Sequence, residues 1–120
     1  MRFAVLVYEK PGAYDTLSAE ELQQVTGEYL EIAQLPGFLG GEQLQSIETA
    51  SAIRVEGGET LITDGPFAST KEVFGGFYLF EADSLDPVIE IAARCPAARL
   101  GGVVEVRPLV DLAARAEGAG

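Results

Sequence analysis

No histidine occurs anywhere in the 120 residues. That absence removes Ser-His and Cys-His nucleophile activation, and with it the usual ligand sets for zinc and non-haem iron. Cys95 is the single cysteine, so neither an intramolecular disulfide nor a Cys-rich metal site can form. The chain is also short of positive charge: eight Lys and Arg stand against nineteen Asp and Glu, a formal net charge of -11. Such a field repels nucleic-acid phosphates and anionic lipid headgroups, which argues against nucleic acid and membrane as partners. The longest apolar runs, such as Phe3 to Tyr8, fall far short of the roughly 20 residues that span a bilayer. Met1 and Arg2 lead straight into a strand-like segment without an apolar signal core, and a cytoplasmic location is expected. Carboxylates, tyrosines, lysine, Cys95 and backbone groups remain for chemistry, and no cofactor or metal is expected.

What is present describes one ordinary folded domain. Hydrophobic residues make up 48% and charged residues 22%, close to globular usage, and the length suits a single core. Residues 3 to 8 form a continuous apolar run ended by Glu9-Lys10-Pro11-Gly12, the pattern of a strand buried on both faces. Ser18 followed by Glu21 is a capping box, and Leu17 with Leu22 is a hydrophobic staple, so a helix is predicted from Ser18. Its buried stripe is Leu22, Val25, Tyr29, Ile32 and Ala33, and it stops before Pro36-Gly37.

A short strand is predicted from Gly40 to Gln45. Ser51 to Glu56 and Glu59 to Thr63 then read as a hairpin turned by Gly57-Gly58. Residues 73 to 82 predict a long central strand in which Gly75-Gly76 marks a bulge or a close approach. Asp86 and Pro87 are read as the N-cap and first residue of a second helix, whose buried face is Val88, Ile91, Ala92 and Cys95 and which Pro96 ends. Val103 to Leu109 predicts the last strand. Residues 1–110 form the domain and 111–120 an Ala- and Gly-rich polar tail, either a frayed helix or disordered.

The predicted order is that of an α+β, ferredoxin-like (split βαβ) sandwich with an inserted β-hairpin. Two helices cover one face of the sheet, yet the strands at 3 to 8 and 73 to 82 are apolar on both. Soluble monomers rarely leave such a face in water, and a homodimer associating sheet to sheet is expected.

The segment Thr63-Asp64-Gly65-Pro66-Phe67-Ala68-Ser69-Thr70-Lys71-Glu72, followed by Gly75-Gly76-Phe77-Tyr78, resembles the DGPF subgroup of the YCII-related domain family. The likeness extends to Gly40-Gly41-Glu42-Gln43-Leu44, Ala92-Ala93-Arg94-Cys95-Pro96 and Val104-Glu105-Val106-Arg107-Pro108. It implies a small ferredoxin-like protein that pairs through its sheets as a dimeric α/β barrel. Some YCII-related proteins look like lyases or dehalogenating enzymes built on a His-Asp pair; this chain, lacking histidine, does not carry that dyad. DGPF members also resemble proteins found beside or fused to alternative sigma factors, which implies a regulatory or sensing neighbourhood.

The loop residues have two readings each. Asp64-Gly65-Pro66-Phe67 is a turn in its own right, with Asp capping, Gly at positive φ, Pro fixing the next φ and Phe67 plugging the core. Alternatively, Asp64 sits at the rim of a cleft as a general base or ligand anchor, provided burial raises its pKa. Thr70, Lys71 and Glu72 are either a polar strand entrance with an exposed Lys-Glu pair or the place where Lys71 anchors an acidic small molecule. Tyr8 and Tyr78 are core aromatics or proton donors, and Cys95 reads as a buried inert thiol. The cleft, if it binds a ligand, is expected between the sheet, the first helix and the loop at 64 to 72, with Asp64, Phe67, Thr70, Lys71 and Tyr78 converging on it. Two functions follow: a homodimeric small-ligand binding or sensing domain, or a cofactor-free lyase or isomerase in which Asp64 abstracts a proton while Lys71 or a tyrosine holds the oxyanion.

Overall fold

The computed structural model describes residues 1–65 and 72–118. Its strands are β1 (Arg2–Glu9), β2 (Phe38–Gln43), β3 (Ser51–Glu56), β4 (Glu59–Asp64), β5 (Val73–Glu81) and β6 (Val103–Pro108). Its helices are α1 (Ala19–Ile32), α2 (Leu85–Ala93) and α3 (Leu112–Ala116). Four strands form one antiparallel sheet in the order β2-β5-β1-β6, and β3 pairs with β4 alone. With β1, β2, β5 and β6 taken as the four principal strands, this is the arrangement expected for a ferredoxin-like domain.

Local signals set most boundaries. Ser18 and Glu21 exchange both bonds of the capping box at 3.1 Å, and α1 follows directly. Gly57 and Gly58 both take positive φ, 56° and 81°, which a two-residue type I′ hairpin turn requires and a side chain resists. The second helix starts earlier than the sequence predicts. Ser84 is its N-cap, and Asp86 and Pro87 fall inside the first turn, where proline is tolerated because that N–H has no helical partner. The tail forms the short α3, started by Asp111, whose carboxylate accepts from the Ala114 amide at 3.1 Å.

Alternation along β1 turns Phe3, Val5 and Val7 toward the helices, and the register sets Phe80, Tyr78 and Gly76 of β5 opposite them. Ile32 of α1, Val88 and Ala92 of α2, and Cys95 complete this buried core. Both helices therefore lie on one face. The register between β1 and β5 slips after Val7, so that Tyr8 faces Phe74 rather than Gly75. This bulge brings Phe74 to the opposite face, where its ring packs 5.5 Å from that of Tyr8. That second face carries Leu6, Tyr8, Phe77 and Leu79 half-buried, with Phe74 and Val103 exposed.

The β3–β4 hairpin stands away from the main sheet. The Cα radius of gyration is 16.9 Å, against about 13.6 Å for a compact chain of this length. Ile53 and Ile62 face each other across the ladder with Val55 on the same side, and all three are more than 60% exposed. Among the described residues no helix is long and apolar enough to cross a membrane.

Candidate functional site

A cavity of about 310 Å³ lies between α1 and the β1–β5–β2 half of the sheet. Its floor is open because Gly41, Gly75 and Gly76 line it where side chains would otherwise stand. A Cβ on Gly76 would come within 2.8 Å of the Glu42 carbonyl oxygen, and one on Gly41 would strike the Phe77 carbonyl oxygen. Glycine is thus needed at both places for strand approach, and the space above them follows from it. Val7, Leu22, Val25, Leu30, Ala33, Phe38 and Tyr78 supply apolar walls. Leu22, predicted in the buried stripe of α1, is instead exposed, because it overhangs this space rather than meeting the sheet.

Glu9 is a charged side chain that this floor admits. It continues the inward alternation of Phe3, Val5 and Val7 to the end of β1, where the bulge leaves Gly75 beside it. The hydroxyl of Tyr14 donates to Glu9 Oε1 at 3.0 Å. The hydroxyls of Tyr14 and Tyr29 are 3.3 Å apart, and the Ala97 amide donates to Tyr29 Oη at 3.0 Å. Since Tyr14 has one hydroxyl proton and gives it to Glu9, Tyr29 must be the donor in the bond between the two tyrosines. The chain therefore runs one way: Ala97 amide to Tyr29, Tyr29 to Tyr14, Tyr14 to Glu9. Tyr78 Oη donates to the Tyr29 carbonyl at 2.8 Å and ties the same helix to β5.

Burial is the first cause of a raised pKa at Tyr14, Tyr29 and Tyr78. At Tyr14 the bond with Tyr29 acts in the same direction, whereas at Tyr29 the bonds to Tyr14 and Ala97 partly oppose it. All three hydroxyls are protonated at neutral pH. Cys95, predicted to be an inert thiol, is 1% exposed, and burial pushes it up to about 12. Among the described residues no group of carboxylate or thiol side chains is arranged to hold a metal.

Of the residues singled out from the sequence, Tyr78 lines the cavity. Asp64 does not: it is exposed at the end of β4, and its Oδ1 accepts from Ser51 Oγ at 3.0 Å across the hairpin ladder. The burial that a carboxylate base at position 64 requires is absent, since the hairpin carries it away from the sheet. Phe67, Thr70 and Lys71 lie outside the described residues. Sequence reasoning did not single out Glu9 and Tyr14, and it read Tyr29 only as core. A carboxylate continuing the inward alternation of a central strand, next to a glycine pair, was the available signal.

An uncharacterised protein of Rhizobium meliloti (strain 1021) is 36% identical over 117 residues, covering 91% of this chain and 92% of that protein. Among solved structures, 5-chloro-2-hydroxyhydroquinone dehydrochlorinase from Burkholderia phenoliruptrix AC1100, in complex with 2,5-dihydroxybenzoquinone, matches with a TM-score of 0.52 at 15% identity. That match covers 92% of this chain and 94% of the dehydrochlorinase, a likeness of fold. The model of the YCII-related domain matches residues 1–113, and on that span the chain belongs to the YCII-related domain family.

Proposed function

We propose that this chain binds a small, single-ring molecule in the cleft between α1 and the sheet, and that Glu9 is the group that engages it. The carrying observation is a carboxylate on the inner face of a central strand, fixed by Tyr14 at 3.0 Å and standing over a glycine floor. A half-buried carboxylate on this face stabilises the fold less than an apolar side chain would, and a bound hydrogen-bond donor offsets that difference. The cavity volume, about 310 Å³, falls at the small end of the ligand-pocket range. Mostly apolar walls with few polar groups are the usual composition of such sites.

A second reading is favoured by one observation, the tyrosine relay that ends on Glu9. In a cofactor-free lyase or isomerase, Glu9 accepts a proton from bound substrate while Tyr14 and Tyr29 stabilise its charge changes. Dehydrochlorination, the activity named for the structural neighbour, is an elimination of this general kind. Glu9 replaces Asp64 as the base in this version, because Asp64 is exposed and bonded to Ser51.

The assembly belongs to the same proposal. Leu6, Tyr8, Phe74, Phe77, Leu79 and Val103 make an apolar sheet face that water contacts in a single chain, and a second copy covering it is the economical partner. We also place the chain in the DGPF subgroup on Asp64-Gly65-Pro66-Phe67.

Nuclear magnetic resonance titration of the labelled protein with single-ring compounds tests the site. Shifts concentrated at the Gly41, Gly75, Gly76 and Ala97 amides are expected. Shifts confined to Ser51, Asp64 and Gly65 would move the site to the hairpin and end the cleft reading.

A further inference from the structure

We infer that the cleft selects molecules presenting a hydrogen-bond donor, neutral or cationic, and excludes anions and molecules that only accept. The inference rests on the cleft being the ligand site and adds to it the polarity of the ligand.

It follows from counting protons. Each hydroxyl in the cleft has one hydrogen to give. Tyr14 gives its own to Glu9. Tyr29, whose oxygen already accepts from Ala97, gives its own to Tyr14 across 3.3 Å. Tyr78 gives its own to the Tyr29 carbonyl, and Thr26 gives its own to the Leu22 carbonyl at 2.9 Å. The hydroxyl donors of this wall are therefore committed within the protein. What Glu9 and the hydroxyls leave toward the cavity is acceptor capacity: the second oxygen of Glu9 and unused lone pairs of the hydroxyls. Gln43, the remaining polar side chain on this face of β2, brings an amide with both characters.

Charge points the same way. Alternation along β2 turns Gly41 and Gln43 to the cavity, opposite Tyr78 and Gly76, and turns Glu42 with Phe77 to the other side. Among the described residues lining the cavity no Lys or Arg occurs, while Glu9 is an acid. An anionic ligand would meet the Glu9 carboxylate and the field of a chain with net charge -11, with no Lys or Arg among the described lining residues to offset them. A ligand that only accepts would leave Glu9 unpaired and desolvated, the arrangement by which polar sites reject analogues lacking a donor.

The test uses four probes of similar size: phenol and benzylamine as donors, anisole and benzoate as acceptors. Each is titrated into the labelled full chain while the amides of Gly41, Gly75 and Gly76 are followed. Phenol and benzylamine are expected to shift those amides with affinities at least about tenfold above anisole and benzoate, the weight of one hydrogen bond to a charged group. In Glu9→Gln the Tyr14 hydroxyl still has an oxygen to meet, and the new amide group donates into the cavity. The preference of phenol over benzoate is then expected to shrink by about tenfold or more. Acceptor probes that move the same amides with less than a tenfold disadvantage would overturn the selectivity and leave the site standing. Probes of both kinds that leave those amides unmoved would overturn the cleft itself. A selectivity unchanged in Glu9→Gln would remove Glu9 as its source.

Discussion

The carboxylate of Glu9 occupies the space that a side chain at position 75 would fill: a Cβ on Gly75 would lie 2.6 Å from Glu9 Cδ and 2.8 Å from its Oε1. Strand β1 delivers Glu9 inward, and the bulge after Val7 delivers a glycine to receive it. Gly75→Ala is expected to leave the fold intact, because Gly75 has no positive φ and the clash is with the far end of a flexible side chain. Binding of donor ligands should weaken by about tenfold as the carboxylate is displaced from Tyr14. An amide spectrum together with a phenol titration checks both halves.

Tyr29→Phe deprives the Ala97 amide of its acceptor in a residue that is 2% exposed. A buried orphaned donor costs about 1–3 kcal/mol, and urea unfolding should show a loss in that range. Tyr14→Phe is expected to cost less, about 0.5–1.5 kcal/mol, because both its partners are only half-buried and water can replace the lost bond. Equal losses for the two variants would show that the Ala97 amide does not depend on the Tyr29 hydroxyl for its partner.

Stability should fall with alkalinity through a window set by Cys95. Its folded pKa is raised from 9.0 to about 12 by burial, so above pH 9 the unfolded chain releases a proton that the folded chain keeps. The unfolded state then binds fewer protons, and stability declines as pH rises, with a slope of at most about 1.4 kcal/mol per unit from this group. The contribution is fully present below pH 9 and lost as pH approaches the folded value. Tyr14, Tyr29 and Tyr78, all raised by burial, steepen the decline above their ordinary value. Urea midpoints from pH 7 to 11 should show the slope, and Cys95→Ala should reduce it.

Sheet-to-sheet association predicts a dimer in sedimentation at micromolar concentration. Phe77→Glu, which puts a charge on the face shared by Leu6 and Leu79, should yield monomer with the helix content unchanged. Because each chain carries a net charge of -11, the dimer should tighten as salt rises, through screening of mutual repulsion. A wild-type chain that sediments as monomer at every salt concentration would remove this part of the proposal.

The sequence by itself determined the elements, because their causes are local. The Ser18–Glu21 capping box, the Gly57-Gly58 turn and the apolar runs at residues 3 to 8 and 73 to 82 each act within a few residues of themselves. The cleft expected between the sheet, the first helix and the loop at 64 to 72 shares Tyr78 with the cavity beneath α1, whereas Asp64 lies outside it and Phe67, Thr70 and Lys71 lie outside the described residues. The second helix cap was misread at Asp86 because Ser84 and Asp86 are both good cap residues, and only the path of the chain leaving β5 chooses between them. The carboxylate that lines the cavity lies beyond local reasoning. Glu9 follows an apolar run and looks like the first residue of a turn, whereas Asp64 sits in a distinctive motif. Tertiary structure reverses their standing: strand pairing and a bulge at Gly75 turn Glu9 inward beneath Tyr14, while the hairpin carries Asp64 out to solvent. Burial and hydrogen-bond partners depend on which distant segments meet, and these two properties decide whether a carboxylate faces a cavity or the solvent.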